Sequence, residues 1–202
     1  MATNVLNFII FMLSISSANG AYTGDVVYAG GTELVTASFK LYDQKGNMLY
    51  HIINPDAFTF FISNSGQVFA TNEQMLYLYE LNGNIISLKK LVYPNGFDFS
   101  PDNTLFFASD RDGIFAYSMT GTMVYQFRPG RLFASTEQAK RVGIVSTDTL
   151  FYYEEGKLIF QNILISPFVR KLYFSKDNEL IQIELPDTTQ SIKIFDNIIR
   201  ED

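Results

Sequence analysis

Two stretches decide the fold: Phe61-Ile-Ser-Asn-Ser-Gly-Gln-Val-Phe-Ala-Thr-Asn72 and Phe99-Ser-Pro-Asp-Asn-Thr-Leu-Phe-Phe-Ala-Ser-Asp110. A shift of 38 residues lays one on the other without a gap. The same shift carries Leu76-Tyr-Leu-Tyr-Glu-Leu-Asn-Gly-Asn84 onto Ile114-Phe-Ala-Tyr-Ser-Met-Thr-Gly-Thr122, and Phe39-Lys-Leu-Tyr-Asp-Gln-Lys-Gly-Asn47 is an earlier copy. Tyr-x-x-x-Gly therefore recurs at Tyr42/Gly46, Tyr79/Gly83 and Tyr117/Gly121. Each unit alternates short runs of Val, Ile, Phe and Tyr with turn pairs such as Asn82-Gly83 and Asp112-Gly113. Alternation at period two between such turns predicts strands joined by hairpins.

Outward from these copies the likeness loosens. Phe174-Ser-Lys-Asp-Asn-Glu-Leu180 follows Phe99 to Leu105, and Gly143 to Phe151 follows Gly96 to Phe106 with two residues deleted. Ile192-Lys-Ile-Phe-Asp196 returns the strand that elsewhere ends in Tyr, so a further turn and strand are expected after it. Only Glu137 to Val142 looks at all helical. Four short strands in about 38–45 residues is the size of one β-propeller blade. The predicted fold is all-β and β-propeller-like, with about four to five antiparallel blades in units near 21–56, 57–94, 95–132, 133–169 and 170–202. A chain of this length makes either a small ring or an incomplete one, with open sheet edges that invite self-association. A β-sandwich or a solenoid of hairpins is the other reading of the pattern.

Composition narrows the function. The 202 residues carry 15 basic and 21 acidic side chains, a net charge of −6, and an acidic surface offers no phosphate-neutralising patch, which argues against nucleic acid. Hydrophobic residues at 47% are enough for a core, while charged residues at 18% fall below the roughly 25% of ordinary soluble domains. There is no cysteine, which excludes a disulfide, a thiolate zinc site and a cysteine nucleophile. One histidine, His51, limits acid–base chemistry, and in Met48-Leu-Tyr-His-Ile-Ile53 it reads as a strand residue.

Residues 1–20 hold no charged side chain: an apolar run from Val5 to Leu13 precedes Ser14-Ile-Ser-Ser-Ala-Asn-Gly20. Small residues at Ala18 and Gly20 fit a secretory signal cleaved before Ala21, and the expected location is extracellular, or periplasmic in a bacterium. The alternative is a first strand or helix of the fold. The run is shorter than the about 20 apolar residues a membrane span needs.

Pro94-Asn95-Gly96-Phe97-Asp98-Phe99-Ser100-Pro101-Asp102-Asn103-Thr104-Leu105 resembles one blade of the SMP-30/gluconolactonase/regucalcin-like six-bladed propellers. The likeness covers about 35 residues, Tyr93 to Phe127, and the rest matches as generic blades. It implies that Asn95 is a ligand of a divalent ion, often calcium, in a central channel. The family completes that site with an early Glu, a second Asn and an Asp in Pro-Asp-Gly. Here Glu33 is the only early Glu, Asn54-Pro55-Asp56 has the second motif's residues in another order, and the counterpart of Asn95 in unit four is Val142.

By register, Ala57, Asn95, Val142 and Arg170 lead into the innermost strands and would ring the channel mouth, with Asp56 beside them. One amide, one aliphatic residue and one cation fall short of the oxygen-rich shell a hard cation needs. Asp110-Arg-Asp112-Gly113 reads as a hairpin turn, not a cation loop. Glu154 and Glu155, adjacent on a strand, point to opposite faces and cannot flank one glycosidic bond. The repeated aromatics Phe69/Phe107/Tyr152 and Tyr42/Tyr79/Tyr117 read as core between blades, and Ala29-Gly-Gly-Thr32 lacks the Lys of a phosphate loop. The expected function is a secreted binding module for a protein, small molecule or glycan, without catalysis or cofactor of its own. The alternative is a divergent calcium-dependent lactone or ester hydrolase built on Asn95.

Overall fold

A computed structural model describes residues 9–30, 34–72 and 74–194. Glu33, the early acid of the hydrolase reading, lies outside the described residues, as do Gly31 and Thr32 of the glycine pair and Phe195 to Asp202. The described residues form five antiparallel sheets and one short 3-10 turn at Glu137–Ala139. The fold is all-β and β-propeller-like. The chain divides between Leu91 and Val92 into two compact units.

The first unit holds two sheets. Sheet one runs β1 (Ile9–Ser16), β2 (Tyr22–Gly30), β3 (Leu34–Asp43) and β4 (Met48–Ile53) in that spatial order. Sheet two runs β5 (Thr59–Ile62), β6 (Val68–Thr71), β7 (Met75–Tyr79) and β8 (Ile85–Lys90). The second unit holds three. Sheet three is β9 (Gly96–Phe99), β10 (Leu105–Asp110), β11 (Gly113–Ser118) and β12 (Met123–Phe127). Sheet four is β13 (Leu132–Ser135), β14 (Arg141–Ser146), β15 (Thr149–Glu154) and β16 (Lys157–Ile163). Sheet five has three described strands, β17 (Lys171–Phe174), β18 (Leu180–Glu184) and β19 (Thr189–Lys193).

Every sheet is an up-and-down meander, as short strands joined by tight turns require. Burial grades across each. The second and third strands of sheets three and four are almost wholly buried, whereas β8, β12 and β16 are mostly exposed. The core lies in seams between facing sheets. Within the first unit, Val26, Phe39 and Leu41 of sheet one pack on Phe60, Ile62, Val68 and Tyr79 of sheet two, with the Phe39 and Phe60 rings stacked at 4.5 Å. Within the second, Phe107 and Ile114 meet Val142, Ile144 and Tyr153, and Val145, Leu150 and Tyr152 meet Leu172, Ile181 and Ile183. The repeated aromatics Phe69, Phe107, Tyr152, Tyr79 and Tyr117 are buried, and Tyr42 is half-buried.

Two turns recur. After the third strand, the Tyr-x-x-x-Gly motif builds a three-residue loop in which Gly46, Gly83 and Gly121 take φ of +80°, +81° and +82°. That left-handed conformation is open to glycine at no steric cost. At Tyr42 and Tyr117 the ladder slips by one residue, as a bulge after such a loop produces.

The turn between first and second strands was less visible in the sequence. In sheet three, Leu105 N–H donates to Ser100 Oγ (3.0 Å) and Asn103 N–H to Ser100 O (2.7 Å), with Asn103 at φ +58°. Sheet five repeats it: Leu180 N–H to Ser175 Oγ (3.0 Å), Asn178 N–H to Ser175 O (2.8 Å), Asn178 at φ +60°. Sheet four uses Thr136, whose Oγ1 accepts from Arg141 N–H (3.0 Å), with Ala139 at φ +50°. Sheet two uses Ser63 and Gly66. Sheet one uses Ser17, whose Oγ accepts from Tyr22 N–H (3.1 Å), with Gly20 at φ +69°.

Ser17 to Tyr22, the stretch that resembles a cleavage site, is thus this turn. Residues 9–16 pair with β2 from Ile9↔Gly30 to Ser16↔Thr23, which is the first-strand alternative.

Two registers read from the sequence are corrected. The gap-free shift of 38 holds for the second strand but not the first: Phe61 faces Phe69 across its ladder, while Phe99 faces Phe106, not Phe107. Ser100 N–H reaches Leu105 O, five residues on, whereas Ser63 N–H reaches Gln67 O, four on. The turn of sheet three is one residue longer, so Ser63 matches Ser100 and the first strands align one position earlier. The second correction is larger. Gly143 lies in β14, a second strand, while Gly96 opens β9, a first strand, so the alignment of Gly143–Phe151 with Gly96–Phe106 fails. Residues 141–146 are strand, and the helical look of that region reduces to the three-residue 3-10 turn.

Candidate functional site

In sheets two to five the residue that leads into the first strand is marked by one hydrogen bond, its N–H donating to the carbonyl at the far end of the second strand. Asn95 donates to Ser109 O (2.9 Å), Arg170 to Glu184 O (2.8 Å), Arg131 to Val145 O (2.9 Å) and Phe58 to Thr71 O (2.9 Å). Asn95 and Arg170 are where the register placed them. Ala57 stands one residue early and is fully buried. Val142 is not a lead-in residue: it is fully buried inside β14, opposite Ser135 and Tyr153, and Arg131 holds the position assigned to it. Asp56 is exposed and accepts a hydrogen bond from Tyr77 Oη (2.8 Å). In the second unit the lead-in positions therefore carry one amide and two guanidinium groups. Arg131 donates its guanidinium to Pro167 O.

That donor set is cationic and suits a metal ion poorly. Among the described residues no group of three or more His, Asp or Glu side chains is placed to hold a metal. The acid beside Ser109, whose carbonyl accepts from Asn95 N–H, is engaged in its own turn. Asp110, fully buried, accepts from Asp112 N–H (2.8 Å) and Gly113 N–H (3.2 Å) at Oδ1 and from Val92 N–H (3.2 Å) at Oδ2. Asp110-Arg-Asp-Gly is accordingly the hairpin turn between β10 and β11. His51 is exposed on β4, opposite Lys40.

The opposite ends of the first strands shape a different site. β9, β13 and β17 and the turns that follow them line a cleft of about 390 Å³ within the second unit. Asp98 pairs with Phe107 in the ladder and so shares its face. Phe107 touches Phe133 with ring centroids 5.2 Å apart, which puts Asp98 on the side of sheet three that meets β13. Phe133, Ser135 and Phe174 line the same cleft, with Glu137 and Lys176 at the turns.

Asp98 is exposed to solvent yet recessed among aromatic walls, and that partial burial pushes its carboxyl above the usual carboxylate range, against the pull of the Phe99 N–H it accepts (2.8 Å). It has no ion-pair partner among the described residues. Asp102, one turn away, is the reverse case. Partial burial raises its carboxyl, but hydrogen bonds from Ser100, Gln138 N–H and Thr104 outweigh this and hold it below the usual range. The Gln138 bond (3.0 Å) ties the turn of sheet three to that of sheet four. Arg141 does the same for sheets four and five, donating to Asn178 O (2.8 Å).

A second cleft, about 560 Å³, follows the seam of sheets four and five and is lined by Lys140, Arg141, Glu154, Glu155 and Lys157 among others. Glu154 pairs with Arg141 (3.2 Å), and Glu155 sits in the β15–β16 turn at φ +47°. Both carboxylates border one cleft because the turn breaks the strand alternation that was expected to part them. One is neutralised by Arg141.

No protein-family model matches the chain, and no curated protein matches it. Solved structures do match in fold. Hsv2 of Kluyveromyces marxianus superposes with a TM-score of 0.57 at 10% identity, over 90% of this chain and 72% of that one. Kluyveromyces lactis Hsv2 gives 0.57 at 10% identity, over 92% and 75%. The KlHsv2 variant with loop 6CD replaced by a Gly-Ser linker gives 0.55 at 9%, over 93% and 79%. These structural neighbours are β-propellers, and at such identities the likeness is one of fold.

Proposed function

We propose that this chain is a propeller-like binding module that holds a partner polypeptide at the cleft where β9, β13 and β17 come together, with no chemistry of its own. The observation that carries the reading is the cleft itself. Three first strands, each at the end of its sheet order, line one recess, and Asp98 faces it, with Lys176 at the rim but no salt bridge to Asp98 among the described residues. A first strand has a strand partner on one side only, so its other edge offers main-chain groups to an extended segment. Phe133 and Phe174 supply apolar wall, the usual make-up of a recognition cleft with few polar groups.

The test is selection of peptides from a random displayed library on the folded protein, followed by calorimetric titration of the selected sequences. Binders that lose at least about tenfold on Phe133→Ala, in a variant that still melts cooperatively, support the reading; tenfold corresponds to about 1.4 kcal/mol. A library that yields no saturable binder, or binders indifferent to Phe133, overturns it.

A further inference from the structure

We infer that the cleft selects a lysine or arginine side chain, which the partner polypeptide lays on the Asp98 carboxylate against the Phe133 ring. This rests on the binding reading above and adds the chemistry of the partner.

Asp98 lacks an ion-pair partner among the described residues. It is a carboxylate on the recessed face of a first strand, its hydrogen bond comes from the neighbouring Phe99 N–H, and no Lys or Arg among the described residues pairs with it. Three acids of this unit that are less exposed than Asp98 are matched. Asp110 accepts from three backbone N–H groups, Glu154 takes Arg141, and Asp102 collects bonds from Ser100, Thr104 and Gln138. A carboxylate partly withdrawn from water gains when a cation pairs with it. Its raised carboxyl says that the free protein goes without this gain.

The walls say which charge fits. Phe133 lines the same cleft as Asp98 and is held by its ring partner Phe107, and the face of an aromatic ring attracts an ammonium or guanidinium group. Ser135, on the same strand and the same face as Phe133, adds a hydroxyl that can accept from a bound cation. A metal ion is a poorer fit, since one carboxylate and one hydroxyl leave a hard cation short of oxygens. The adjacent strand edges favour a polypeptide over a free amine, because they can hold main chain on either side of the inserted side chain. The net charge of −6 favours approach of a basic segment.

The experiment uses the full chain and the peptides selected from the random library. Selected sequences share a Lys or Arg. Replacing it by Met lowers affinity at least about tenfold, and so does Asp98→Asn, an isosteric change that removes the charge. Affinity for the wild type also falls as salt rises, and this dependence is weaker in Asp98→Asn. Glu155→Gln, in the seam cleft, binds as the wild type does. A thermal melt of Asp98→Asn confirms that the variant is folded.

Binders without Lys or Arg, or equal affinity for wild type and Asp98→Asn, overturn this inference while the binding reading stands. Butylammonium binding as tightly as the peptides overturns the choice of a polypeptide. Absence of any binder to the wild type sinks the binding reading itself.

Discussion

Asp98 and Asp102 are four residues apart and their carboxyls are driven in opposite directions, which makes them separable by pH. A carboxyl raised in the folded state is a penalty present above its folded pKa and gone once the pH falls below the unfolded value. Asp98→Asn therefore melts higher than wild type at neutral pH, and the two melting curves converge as the pH drops through the ordinary carboxylate range. A thermal series from neutral to acid pH checks this, and a variant that melts lower at neutral pH would assign Asp98 a structural role instead. A carboxyl lowered in the folded state does the converse: its contribution is present above the unfolded pKa and lost as pH falls through the folded one. Asp102→Ala is thus destabilised at neutral pH and loses that deficit in acid. Ser100, the buried hydroxyl that bridges Asp102 and the Thr104 and Leu105 amides, is the hub of the same turn. Ser100→Ala leaves Leu105 N–H, buried in the turn, without its acceptor and costs about 1–3 kcal/mol in urea unfolding. A change within error would show that the hydroxyl is dispensable.

At the scale of elements, the first-strand turn explains both what the sequence disclosed and what it hid. The copies at Ser100 and Ser175 share Ser-x-Asp-Asn and align by eye. The copy at Thr136 has neither Asp nor Asn in its turn, and there Gln138 and Ala139 take left-handed φ under tertiary constraint. Without that landmark Gly143 was matched to Gly96, and Val142 inherited a position that belongs to Arg131. The Ser17 copy was hidden differently. Ser-Ala-Asn-Gly-Ala is the composition of a signal cleavage site and also of a turn, and in the folded full chain it is the turn that closes the ladder from Ile9 to Gly30. The signal that could have found it is the spacing from Ser17 to Gly20, which matches Ser63 to Gly66. The cleft, by contrast, was illegible: Asp98 and Phe133 are far apart in sequence, and no local pattern announces that β9 and β13 meet. The strand reading makes a prediction. A chain that starts at Ala21 lacks β1, leaves the long edge of β2 open and uncovers Tyr28, whose ring stacks on Phe11 (5.7 Å). Such a chain melts lower and associates in size-exclusion chromatography. A monomer with unchanged melting temperature would free residues 1–20 for a role outside the fold.

At the scale of the molecule, the stability of a chain without cysteine rests on the seams between sheets, and those seams are built with tyrosine as well as phenylalanine. Tyr50 Oη and Tyr152 Oη are buried without a hydrogen-bond partner among the described residues, so each hydroxyl has given up water without replacement there. Burial, followed by the smaller influence of neighbouring charges, pushes Tyr79, Tyr117 and Tyr152 up to about 12, and burial beside Tyr79 drives Tyr50 higher still. The sign follows from linkage. A folded-state pKa above the unfolded value of about 10 gives stability that is whole below that value and drains away as pH climbs towards the folded one. Four such groups, spread over sheets one to four, drain together, so the chain should unfold cooperatively in alkali once the pH passes the ordinary tyrosine range. Spectrophotometric tyrosine titration followed alongside circular dichroism checks this: the four buried tyrosines ionise in a steep step above their ordinary range, and that step coincides with loss of the β-structure. A single smooth titration near pH 10 with the circular dichroism unchanged would mean that these hydroxyls reach water in the folded protein, and that the seams are not the dry tyrosine-lined cores described above.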